Sequence, residues 1–156
     1  MKSPQPNSRH CFVCGLQNPI GLHLRFYQTR AGEIEANFQV PEIYQGYPGI
    51  VHGGVVAAML DELAGRALMS DGPATRFMFT ARLNVRYRKN VPVEQPLKLV
   101  GRMEEDRGRT ATAVSAIYDE QGTLLAEAEA LLVDIPESML EEADLEALGW
   151  KVYPEE

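Results

Sequence analysis

At 156 residues, 45% of them hydrophobic, the chain has the length and composition of one globular domain with a real core. A formal charge of −7 excludes the basic surplus that nonspecific binding to nucleic acid or to an anionic membrane requires. The longest apolar run, Val55–Leu60, is far too short to cross a bilayer.

Residues 1–10 (MKSPQPNSRH) are polar, proline-punctuated and without an apolar signal core. We read them as a flexible lead-in and expect a cytoplasmic location. Cys11 and Cys14 are the only cysteines, too few for a secreted disulfide framework. His10-Cys11-Phe12-Val13-Cys14-Gly15 resembles half a zinc knuckle. Zinc wants four ligands in a structural site, and His10 and His23 would complete a set only at irregular spacing. A redox pair would belong at a helix start after a strand. A packed structural turn without metal is the expectation.

Leu22, Leu24 and Phe26, then Ile34, Ala36, Phe38 and Val40, alternate with polar neighbours on either side of Ala31-Gly32. That spacing predicts a β-hairpin over residues 22–40. A loop over 41–49, rich in Gly, Pro and Tyr, leads to a helix from about Gly53 to Met69, which Gly72-Pro73 ends. Strands follow over about 77–88, 96–105, 109–119 and 123–134, with turns at Asp106-Arg107-Gly108 and Asp119 to Gly122. On the first of them Phe77, Phe79, Ala81, Leu83, Val85 and Tyr87 share one face, and Met78, Thr80 and Arg82 the other. Residues 136–156 form a helical extension, with Ser138 and Glu141 as a capping box and Gly149 as the stop. The order predicts an α+β domain over 11–135: two strands, one apolar helix covered almost all round by a curved antiparallel sheet, then a four-strand meander. The sheet edge and outer face would favour self-association.

Chemistry concentrates at residues 49–65, GIVHGGVVAAMLDELAG. Asp61 is the only polar side chain between Gly54 and Glu62, and a charge in so apolar a helix needs a use. Glu62 has Arg66 at the favourable i,i+4 spacing, whereas Asp61 has Gly65 there. Asp61 is therefore the expected unpaired, desolvated carboxylate, suited to a general base, or else bonded to a backbone group across the sheet. Gly53 and Gly54 place unhindered N–H groups at the helix start, where a developing negative charge can rest. Eight residues of helix put Gly53 and Asp61 about 12 Å apart, so one carbonyl group meets both only if a second, antiparallel copy supplies one of them. A two-fold dimer meets that demand. His52 serves either catalysis or helix entry. Thr80 is a candidate to fix a water or orient Asp61, and Gln45 to touch substrate. Arg82, Arg86, Arg88 and Lys89 are a basic run suited to phosphates or to a solvated face.

With these residues in place, the chain resembles the hotdog-fold acyl-CoA thioesterases, in particular the phenylacetate-pathway type and its relatives. The motifs are GYPGIVHGGVVAAMLDE (46–62), FTARLNVRYRKNVP (79–92), YDEQGTLLAEAEALL (118–132) and the opening CFVCGLQNPIGLHLRF (11–26). The resemblance covers about residues 11–134. It implies a helix wrapped by a sheet, homodimers that pair into tetramers, and hydrolysis of an acyl-CoA thioester. It makes Asp61 the carboxylate, Gly53 the oxyanion donor and Thr80 the hydroxyl supporting the opposite subunit's Asp. It implies no cofactor, CoA being part of the substrate. The acyl group is expected against Met59, Leu60 and Phe79, with Gly54 beside the carbonyl and the CoA phosphates near Arg88 and Lys89. Two other readings stay open: a noncatalytic acyl-CoA or lipid-binding hotdog module, and a hotdog enoyl-thioester hydratase or dehydratase.

Overall fold

The computed structural model describes residues 1–69, 76–142 and 144–155. Its strands are β1 (Ser3–Pro4), β2 (Tyr27–Arg30), β3 (Glu33–Phe38), β4 (Met78–Tyr87), β5 (Leu97–Asp106), β6 (Thr110–Tyr118) and β7 (Leu124–Asp134). The long helix α1 spans Gly53–Met69 and the short α2 spans Glu137–Glu142. All strand pairs are antiparallel, in the order β1-β2-β3-β5-β6-β7-β4. Among the described residues no helix is long and apolar enough to cross a membrane.

The expected four-strand meander is corrected. After α1, the chain enters β4 at the far edge beside β7, and β5 returns to pair with β3. The sheet thereby reaches both flanks of the helix, which a meander running outward from β4 would not. Helix α1 buries Val56, Met59, Leu60, Leu63, Ala64, Ala67 and Leu68 against it. Each of the larger side chains contributes about 1.5–3 kcal/mol. The sheet beneath is built from small residues: Ala111, Ala113, Ala126, Ala128 and Ala130 are all buried. At Gly101 the helix comes so close that an added Cβ would sit 2.4 Å from the Leu63 carbonyl oxygen. Ser115 Oγ donates to the Leu60 carbonyl, 2.8 Å, pinning the mid-helix to β6.

Four further expectations change. The hairpin is shorter than 22–40, with its turn at Gly32, φ 75°, although Leu22, Leu24 and Phe26 are buried as their alternation implied. Residues 1–10 are no flexible lead-in. Ser3–Pro4 pairs with β2, Gln5 and Asn7 are buried, and Asn7 bridges to Lys151. The capping box does not start the tail helix, since Ser138 lies inside α2, whose start is closed by the Pro136 carbonyl accepting from Met139 N–H. Finally, α1 is not covered all round: Ala57, Ala58, Asp61, Glu62 and Gly65 stay half-buried on a stripe the sheet leaves open. The helix stop expected at Gly72-Pro73 lies outside the described residues.

Candidate active site

Asp61 lies on that open stripe, and β4 passes beside it. Thr80 Oγ1 donates to Asp61 Oδ1 at 2.5 Å. A bulge in β4 makes this contact. Thr80 opposes Leu132 and Arg82 opposes Leu131, so Ala81 has no counterpart and the strand's facing reverses there. Met78 before the bulge and Leu83 after it therefore pack on the same cluster, around Leu68 and Leu132. The single six-residue face expected from Phe77 to Tyr87 is thus split, and Thr80 faces the helix rather than a separate polar side. The Thr80–Asp61 bond joins residues of one chain, where the resemblance implied a bond between subunits.

At the helix start, His52 Nδ1 accepts from Gly54 N–H at 2.9 Å, and the His52 carbonyl accepts from Val55 and Val56. The imidazole is an N-cap here, and it consumes the second glycine's donor. Gly53 N–H has no hydrogen-bond partner among the described residues. Tyr87 Oη donates to the Gly53 carbonyl at 2.7 Å, so β4 braces the helix at Gly53 as well as at Asp61. The sequence reading missed Tyr87, which looked like one more aromatic on a pleated face.

Asp61 and Thr80 line a cavity of about 640 Å³ with Ser8, His10, Cys11, Cys14, Glu62, Gly65, Arg66, Met69, Phe77, Met78, Phe79, Ile135, Leu148 and Trp150. Met59 and Leu60 do not line it; both are fully buried on the sheet side of α1. Of the expected acyl contacts only Phe79 stands there, and Met69, Phe77 and Met78 supply the rest of the apolar wall. Gln45 instead holds its own loop, its Oε1 accepting from Gly49 N–H at 3.1 Å. Arg88 and Lys89 are exposed at the Gly53 end of β4, with Arg88 Nε 3.3 Å from Glu127 Oε2. A larger hollow of about 980 Å³ on the outer sheet face holds Glu33, Glu35, Lys98 and Tyr118. Its Glu35 is tied to Lys2 and Lys98, and it lies apart from Asp61 and Gly53.

Burial pushes the Glu62 carboxyl up. Desolvation raises it to about 7, against the pull of Arg66, whose Nε lies 3.0 Å from Glu62 Oε1. Arg66 is itself buried, stacked between Phe26 and Trp150 at 4.7 and 4.9 Å, with one nitrogen on the Pro6 carbonyl. Beside Glu62 stand the two thiols. A hydrogen bond from Cys14, helped by the Cys14 and Val13 N–H groups, lowers Cys11 to about 6. Donating that bond and being buried push Cys14 up to about 12.

Residues 48–126, half of the chain, match the family model of the Thioesterase superfamily. Acyl-coenzyme A thioesterase THEM4 of Rattus norvegicus is 29% identical over 136 residues, 86% of this chain and 57% of that protein. A crystallised thioesterase superfamily protein is 32% identical with a TM-score of 0.74, over 80% of this chain and 63% of the other. The chain thus spans less than two thirds of either relative. The Escherichia coli PaaI protein from the phenylacetic acid degradation operon is 14% identical with a TM-score of 0.66, over 74% of this chain and 81% of that one, a likeness of fold alone. The fold is the hotdog fold.

Proposed function

The chain belongs to the thioesterase superfamily, and we propose that it hydrolyses an acyl-CoA thioester to the free acid and CoA at two sites shared across a homodimer. Asp61 of one subunit takes a proton from water as the oxygen attacks the thioester carbonyl. The resulting oxyanion rests on the Gly53 N–H of the other subunit, with the positive end of α1 behind it. Collapse breaks the C–S bond, and the departing thiolate takes the proton back from Asp61. No step needs a cofactor.

The observation that carries this reading is the Thr80–Asp61 bond at the mouth of a mainly apolar cavity. One Asp61 oxygen is held by a neutral hydroxyl, which leaves the other to a water. The free Gly53 N–H supports it, as the one donor at the helix start that His52 does not occupy. The open stripe on α1 and the exposed Phe79 and Tyr87 on the edge strand β4 favour a second copy packing there. In that arrangement Arg88 and Lys89 flank the Gly53 end of the site, where the CoA phosphates would lie.

Thiol release from short, medium, long and aromatic acyl-CoAs tests the reaction, with Asp61→Asn as control. The substitution should lower kcat by about 10²–10⁴-fold without changing fold or oligomeric state, the range of a general base. Unchanged turnover of Asp61→Asn on every active substrate would reject the mechanism. Tight acyl-CoA binding without any thiol release would instead favour a noncatalytic binding module.

A further inference from the structure

Three donor atoms that the proposed hydrolysis does not use, Cys11 Sγ, Cys14 Sγ and a Glu62 carboxylate oxygen, lie within 4.8 Å of one another. We propose that they hold a zinc-class divalent ion, with a solvent molecule from the cavity as fourth ligand. Bonds of about 2.3 Å to sulfur and 2.1 Å to oxygen set donor separations of roughly 3.5 Å in a tetrahedron, which side-chain rotation reaches from here. Two thiolates and one carboxylate suit zinc; calcium and magnesium take oxygen ligands alone.

The surroundings are shaped for this. Ser8 Oγ accepts from Cys11 N–H at 3.2 Å and lies 3.5 Å from Cys14 Sγ, so one hydroxyl ties the two cysteines together. The turn closes with Gly15 N–H on the Cys11 carbonyl, 2.8 Å, where a Cβ would lie 2.4 Å from that oxygen. Glycine at 15 is therefore required for the two sulfurs to converge. Arg66 Nε holds Glu62 Oε1 from behind, the outer contact that orients a ligating carboxylate. Its Nη2 is buried without a hydrogen-bond partner. A divalent ion, two thiolates, Glu62 and Arg66 balance to zero. Half a knuckle in the sequence becomes three ligands in space, since the third comes from α1. The bound ion would tie residues 8–15 to the helix one residue from Asp61, bracing the cavity wall.

The test uses the reduced 156-residue chain, zinc competed with a chromophoric chelator, and cobalt substituted for zinc. One zinc per chain is expected, with a sulfur-to-cobalt charge-transfer band. Cys11→Ser should abolish that band, and Glu62→Gln should weaken zinc binding by about tenfold or more. Circular dichroism of both variants reports whether the fold is kept; Cys14, being buried, is left intact. Failure to retain zinc would overturn the proposal, as would Glu62→Gln binding zinc as tightly as the parent. Neither readout depends on thioester hydrolysis.

Discussion

Two adjacent acids on α1 have opposite surroundings, and side-chain neighbours set the difference. Glu62 points toward Arg66 and the thiols and is desolvated; Asp61, one helical step round, meets a hydroxyl at the cavity mouth. Spacing along the helix identified the Glu62–Arg66 pair correctly but could not reveal that Arg66 is buried, which draws Glu62 inward with it. In the proposed reaction Thr80 acts on substrate only through Asp61, to which it donates, and so is a positioning residue. Thr80→Ala should lower kcat about 10–100-fold with little effect on KM, because a carboxylate misplaced by an ångström costs rate rather than affinity. Thr80→Ser keeps the hydroxyl and should restore most of the loss. Steady-state kinetics of the two variants separate positioning from packing, since a packing role would leave the serine variant impaired.

The helix and sheet meet backbone to backbone. Gly101 on β5 lies under Leu63, and small side chains at 111, 113, 128 and 130 continue the trough. Gly101→Ala forces the helix carbonyl away and should destabilise the fold by about 1–3 kcal/mol, the usual cost of overpacking. Urea unfolding followed by circular dichroism reads it; an unchanged midpoint would mean that the helix shifts freely on the sheet. Strand β4 does the other element-scale work. Its bulge at Ala81 turns Thr80 inward, and its end carries Tyr87 to Gly53, so one edge strand braces α1 at both Asp61 and Gly53.

One subunit alone leaves the proposed chemistry divided, with Gly53 about 12 Å along the helix from Asp61. Mixed dimers decide the matter. Gly53→Pro removes the N–H at the first helical position, where proline is tolerated, and Asp61→Asn removes the base. Each variant alone should be nearly inactive. Their mixed dimer pairs an intact Asp61 from one chain with an intact Gly53 from the other. Random reassociation should return about a quarter of parental activity, half the dimers each having one good site. Sites complete within one chain would give no recovery. The two termini also meet at this scale: Arg9 N–H reaches the Leu148 carbonyl, Asn7 bridges Lys151, and Trp150 covers Arg66. Residues read from sequence as a loose lead-in and an extension of unassigned role together wall the cavity.

The long helix was legible at about 53 to 69, because its apolar run, glycine start and i,i+4 pair are local features. The four strands after the long helix were legible to within a residue or two, whereas the first hairpin strand starts five residues later than alternation implied; Asp61, Gly53 and Thr80 stood out by chemical type. Tertiary structure alone decided that β4 joins β7 rather than β5, that a bulge re-aims Thr80, and that Met59 and Leu60 face the core. It also decided that Glu62 completes a cluster with two cysteines about 50 residues earlier. Periodicity reports which side of an element is apolar, through interactions a few residues apart. Strand order, bulge placement and convergence of distant side chains depend on how whole elements share one buried volume, a constraint no window of sequence contains.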